Sequence, residues 1–240
     1  YLRDYAERTR AAKAQLACTE SVAYGPGAND KLDIYPAAQA GAPVLVFLHE
    51  GLGSVRMWRD WPQRLCQQLG CAGWVYSRQG YGQSDAVADV RGPAQQNPDG
   101  HVRSGCLQPD YMHREAQLVL PELLHRWGVQ KPVLIGHSDG GTIALLHAAH
   151  HDVHACITMA PHVMVEDMSI QAIQVAREAF EKGSLRERLK PFHADVDCAF
   201  WQWNDVWLSE GFRNFDIRDT LTTVSAPLLA IQGVADPYGS

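Results

Sequence analysis

The segment Gly136-His137-Ser138-Asp139-Gly140-Gly141 is the part of this chain best equipped for chemistry. A serine flanked at two residues' distance by glycines fits a nucleophile carried on a sharp strand-to-helix turn. The apolar run Val133-Leu134-Ile135 leads straight into it, and a helical pattern follows at once. Such a turn lifts the Ser138 hydroxyl above a sheet edge. It also sets it at a helix N-terminus, where unpaired main-chain N–H groups favour developing negative charge. Other groups carry less. His147, His150, His151 and His154 with Asp152 are metal-ligand types close together, but they read as the solvated end of a helix, and no metal is assigned. Gly51-x-Gly53 and Gly80-x-Gly82 do not complete G-x-G-x-x-G, and no P-loop lysine accompanies them.

The elements that must position Ser138 follow from hydrophobic runs. Pro43–His49, Ala72–Ser77, Pro132–Gly136, His154–Ala160 and Pro227–Gln232 read as strands. Helical spacing marks Trp58–Leu69, Tyr111–Trp127 and Thr142–His150. Continuous apolar strands alternating with helices predict an α/β fold with a mostly parallel, doubly wound sheet. Ligands in such sheets bind beyond the carboxyl ends of the strands, which is where Ser138 falls. Lys31–Tyr35 alternates like an edge strand, and Ala86–Gln108 reads as a long surface loop. The segment 163–215 is helical and aromatic, and is expected to form a lid between the fourth and fifth core strands. The domain division is thus residues 1–162 and 216–240 as core and 163–215 as helical lid. Leu52, His162 and Trp203 are expected to line the substrate pocket, His162 at its mouth and Trp203 from the lid.

Composition narrows the class. The 240 residues are 46% hydrophobic and 20% charged, which excludes disorder over most of the chain. A net charge of −6 argues against an electrostatic nucleic-acid binder. The longest apolar runs are strand-sized, so no membrane span is expected. No signal-peptide pattern opens the chain, and the six cysteines lack a C-x-x-C pair, which points to reduced, half-buried thiols and a cytoplasmic setting. The expected partner is a small-molecule substrate, with neither nucleic acid nor membrane.

With its setting, the Gly136–Gly141 segment resembles the nucleophile elbow of the α/β-hydrolase superfamily, and the likeness covers about residues 40–240. Three further segments agree. His49-Glu50-Gly51-Leu52-Gly53-Ser54 lies where the family has an HG-x-G oxyanion segment, although Glu50 replaces a glycine. Ser77–Asp85 is similar to the family's R-G-x-G-x-S loop, with Gln79 as a departure. Ile231–Asp236 resembles the G-x-x-D strand end. The resemblance implies Ser138 as nucleophile, the Gly51 and Asp139 amides as oxyanion donors, and Asp236 as the acid that orients a histidine; Glu166 or Asp167 is a second place for that acid. His137 is expected to be structural and to point into the fold. The opening segments Val22–Pro26 and Lys31–Pro36 look somewhat like those of arylformamidases. The implied activity is a serine hydrolase of a small, apolar carboxylic ester or thioester, working through an acyl-enzyme without a cofactor. Amide or C–C bond hydrolysis of arylformamidase type, and non-catalytic small-molecule binding, are the alternatives. Dehalogenase or epoxide hydrolase chemistry is disfavoured, because those relatives carry a carboxylate at the Ser138 position.

In this superfamily the triad runs serine, acid, histidine. All eleven histidines precede Asp236, with His162 considered as a substitute base. The expectation is a truncated chain, nearly inactive as it stands and hydrolytic when extended at its C-terminus; a protein that truly lacks the base is the other reading.

Overall fold

The structure, a computed structural model, describes residues 19–23, 31–37, 41–92, 95–96, 102–103 and 107–239. Seven strands make the main sheet: β1 (Thr19–Ala23), β2 (Lys31–Tyr35), β3 (Val44–Leu48), β4 (Ala72–Tyr76), β7 (Val133–His137), β8 (Ala155–Met159) and β9 (Leu228–Ile231). Their order is β1-β2-β4-β3-β7-β8-β9. All pairs from β4 to β9 are parallel, and β1 and β2 pair antiparallel at one end. Two short strands, β5 (Gln95–Gln96) and β6 (Val102–Arg103), pair with each other inside the segment expected to be loop.

The five expected core strands form within a residue or two of their apolar runs, because such runs have two faces to bury. In β3, Leu45 and Phe47 join Val75, Ile135 and Cys66 on one face, while Val46 and Leu48 join Leu134, Ile143 and Leu120 on the other. Helix α1 (Trp61–Leu69) covers the first face, and Gly73 lets it approach: a methyl there would lie 2.3 Å from Cys66 Sγ. The other face is covered by α2, which runs Tyr111–Arg114, a π-helical stretch Glu115–Val119, then Leu120–Arg126, and by α3 (Asp139–Ala148). Helix α3 begins three residues before its expected start, since close packing overrides the poor helix propensity of Gly140 and Gly141.

Two expectations change. Lys31–Tyr35 is not an edge strand: β1 pairs on its far side, and Leu32, Asp33 and Tyr35 are buried. Cys66, Cys71, Cys156 and Cys198 are thiols, buried rather than half-buried, and burial pushes the Cys156 thiol up to about 12. Cys18 and Cys106 lie outside the described residues.

Between β8 and β9 the chain leaves the sheet for α4 (Asp167–Glu181), α5 (Leu185–Leu189) and α6 (Val196–Trp207). The two ends of this excursion are tied by an antiparallel bridge between Met164 and Asp216. Helix α7 (Arg218–Leu221) then leads to β9. That strand is exposed along its length, with Leu229 54% exposed. No helix among the described residues is long and apolar enough to cross a membrane.

Candidate active site

Ser138 sits between β7 and α3 with φ 51° and ψ −119°. A non-glycine residue pays roughly 1–2 kcal/mol for this left-handed backbone, and such strain persists only where the surroundings enforce it. Here two glycines enforce it. A methyl on Gly136 would lie 2.2 Å from Gly140 O, and one on Gly140 would lie 1.9 Å from Leu48 O. The Ser138 amide donates to Met159 O (2.8 Å), and the Thr142 amide donates to Ser138 O (3.0 Å). The serine itself is only half-buried, at the N-terminus of α3, where the helix amides face it.

Beneath it the Asp139 side chain is 1% exposed. It accepts a hydrogen bond from Tyr111 Oη, which in turn accepts from Trp207 Nε1 (3.1 Å). Burial, then the Asp139 charge, drives the Tyr111 phenol well above its ordinary pKa, so it remains a donor. Arg78 Nη2 stands 3.8 Å from the same carboxylate and donates to Glu50 O (3.0 Å). The Arg78 amide donates to His49 Nε2 (3.0 Å), so the neutral ring carries its proton on Nδ1 and donates it to Glu50 O (2.7 Å). Burial, then the neighbouring Arg78 charge, holds His49 well below the usual histidine pKa. Sequence reasoning missed His49, Tyr111, Arg78 and Trp207. Arg78 and His49 lay inside quoted motifs, while nothing local marks Tyr111 or Trp207.

The turn after β3 closes with the Gly53 amide donating to Glu50 O (3.0 Å). Gly51 lies against Trp203 of α6, and a methyl there would be 2.1 Å from the indole Nε1. Leu52, on the same turn, accepts at its carbonyl from His193 Nε2 (3.0 Å), while His193 Nδ1 accepts from the Gly82 amide (3.0 Å). His193 thus fastens the inserted helices to the loops after β3 and β4. Glu50 turns toward the elbow, its Oε2 3.5 Å from His137 Nδ1. His137 does not point into the fold: its side chain is 44% exposed, and the Glu50 contact raises its pKa against the cost of burial.

Asp236 follows β9, with its carboxylate accepting from the Tyr238 amide (2.9 Å) and facing Gln232 Nε2 (3.5 Å). His162 is buried against Trp207, ring centroids 4.8 Å apart, and its backbone brackets the Thr142 hydroxyl. Burial lowers its pKa, opposed by Asp139, Asp236 and Glu166. Glu166 borders Gly239, and Asp167 opens α4. Asp236 has no histidine hydrogen bond to it among the described residues. In the histidine run His150, His151 and His154 are exposed as expected, but His147 is not: it is 2% exposed, donates from Nδ1 to Ala116 O (2.8 Å) and stacks on His151.

A family model described as alpha/beta hydrolase fold matches residues 43–223. No curated protein matches the chain by sequence. Among solved structures, a carboxylesterase of Nitrososphaera gargenis is 18% identical, with TM-score 0.59 over 90% of this chain and 80% of that one. A membrane phospholipase A described as a bacterial virulence factor is 15% identical, with TM-score 0.58 over 100% of this chain and 77% of that one. An epoxide hydrolase from hot-environment metagenomes is 18% identical, with TM-score 0.55 over 93% and 84%. These likenesses establish the fold alone, and with the family match spanning most of its length, the chain belongs to the alpha/beta hydrolase fold family.

Proposed function

We propose that the protein is a serine hydrolase of a small, apolar carboxylic ester or thioester. The observation that carries this reading is the strained, half-buried Ser138 at φ 51°, held at the head of α3 by contacts that tolerate only glycine beside it. Strain at one serine oxygen facing a helix N-terminus has a purpose in acyl transfer. Ser138 Oγ attacks the acyl carbon while its proton passes to a base. The carbonyl π electrons move onto oxygen, where the Gly51 and Asp139 amides stabilise them. Collapse of that intermediate expels the alcohol or thiol, which takes the proton, and leaves an acyl-enzyme. Water then attacks, and the acid leaves Ser138. Each amide donor of this kind is worth about 10²–10³ in rate.

Asp236 orients the base, a histidine, in this reading. The half-exposed Leu228, Leu229 and Ile231 of β9 favour a covering element on that edge, and the histidine belongs with it. The segment 163–215 serves as a lid, with Leu52, His162 and Trp203 lining the pocket beneath it. Amide or C–C bond substrates would use the same serine and donors. One observation favours a second reading, a non-catalytic binder: no described histidine bonds Asp236. A fluorophosphonate probe with p-nitrophenyl acetate turnover, applied to the full-length gene product, decides. Labelling at Ser138, abolished in Ser138→Ala, supports the hydrolase. An unlabelled Ser138 overturns it in favour of the binder.

A further inference from the structure

Helix α6 arrives from the inserted segment, yet it reaches both residues that carry the proposed oxyanion donors, Gly51 directly and Asp139 through Tyr111. Trp207 donates its indole proton to Tyr111, which donates to the Asp139 carboxylate. Trp203, one turn earlier on the same helix face, stands against Gly51. The two indoles differ in what their N–H groups meet. That of Trp207 is used inside the fold. That of Trp203 has no acceptor among the described residues, and it is not sealed off like the N–H groups of Trp58 and Trp127.

The Trp203 ring is nevertheless only 6% exposed and packed edge-on against Phe200 at 6.0 Å, so its direction is fixed by the core. A buried indole ordinarily finds a hydrogen-bond partner, because leaving the donor unmet costs free energy. The space that Nε1 occupies is the space a side chain at position 51 would take. Gly51 therefore serves two ends: it bares its own amide and admits a second N–H beside it.

We propose that the Trp203 indole N–H is a third donor of the oxyanion hole, hydrogen-bonded to the acyl oxygen of the substrate beside the Gly51 amide. The inference rests on the serine hydrolase reading and deepens it. A rigid side-chain donor supplied by the inserted helices makes catalysis depend on how that segment is seated. It strengthens as charge develops on the oxygen, the condition for lowering a barrier rather than merely tightening binding.

The test is the indole ¹H–¹⁵N signal of Trp203, assigned by triple resonance in the unsubstituted full-length gene product, before and after Ser138 reacts with a fluorophosphonate whose phosphoryl oxygen stands in for the oxyanion. The expected result is a downfield shift of that indole proton on adduct formation, with Ser138 labelled about 10- to 100-fold more slowly in Trp203→Phe. An adduct that leaves the Trp203 signal unmoved, or a folded Trp203→Phe that labels at the parental rate, overturns this inference alone. If Trp203→Phe does not fold, the signal in the unsubstituted protein decides. Failure of the unsubstituted full-length gene product to form any Ser138 adduct overturns the hydrolase reading and this inference with it.

Discussion

Two glycines near Ser138 are required for different reasons, and substitution separates them. At Gly140 the added methyl meets main-chain Leu48 O at 1.9 Å, an atom that cannot step aside without moving β3. At Gly51 it meets the buried Trp203 ring, a side chain that must repack at some cost but leaves the strand backbone in place. Gly140→Ala is therefore expected to cost about 3 kcal/mol or more of stability, seen as a lowered urea midpoint. Gly51→Ala is expected to lower the midpoint less than Gly140→Ala does, costing about 1–3 kcal/mol of stability, while Ser138 labelling slows at least about tenfold. Equal midpoints for the two variants would contradict this assignment. These glycines were legible because the elbow's spacing is local: strand, glycine, serine, glycine and helix lie within ten residues. The support beneath them was not. Tyr111 and Trp207 reach Asp139 from 28 residues before and 68 after in sequence, joined only by folding. No periodicity announces a hydrogen bond of that span.

Elements were readable where burial is two-sided. β3, β4, β7 and β8 carry apolar runs that no other arrangement could hide, so their order of chemistry followed from pattern alone. β1 was missed because five mixed residues, Thr19-Glu-Ser-Val-Ala23, carry no period, and its pairing is what turns β2 from an edge into an interior strand. The seating of the inserted helices was equally illegible, since it depends on bonds between distant residues, among them His193 bridging Leu52 O and the Gly82 amide. Both bonds need the neutral ring with its proton on Nε2. His193→Ala leaves the Gly82 amide and Leu52 carbonyl without partners in a buried place, at about 1–3 kcal/mol. The looser turn at Leu52 would also displace the neighbouring Gly51 amide. The expected outcome is a lower melting temperature, faster amide exchange in α6 and slower Ser138 labelling. Parental exchange in α6 would show that His193 does not fasten it.

Across the whole molecule, histidine burial sets the response to acid. His49, His113, His147, His162 and His193 all have pKa values lowered chiefly by burial, His147 to about 4. Above the unfolded value of about 6.5 both folded and unfolded states hold these rings neutral, and their effect on stability is constant. Below it the unfolded chain takes up protons that the folded chain refuses, so stability falls as the pH drops. Each ring contributes at most about 1.4 kcal/mol per pH unit, and His147 alone roughly 3 kcal/mol between pH 6.5 and 4. His137 acts in the opposite sense and elsewhere: its raised pKa gives stability that is fully present below about 6.5 and lost as the pH climbs past the folded value. It cannot offset the acid-side loss, because in that range it is protonated in both states. The melting temperature is therefore expected to fall steadily from pH 6.5 to pH 4.5, and His147→Gln to flatten that fall by up to one proton's worth of slope. The substituted glutamine lowers the plateau above pH 6.5 if it cannot reach Ala116 O, but it cannot steepen the acid limb. A melting temperature that stays level across this range, or an unchanged slope in His147→Gln, would show that these rings open to solvent before they titrate. The buried bridges made by His49 and His193 would then be far more dynamic than their geometry implies.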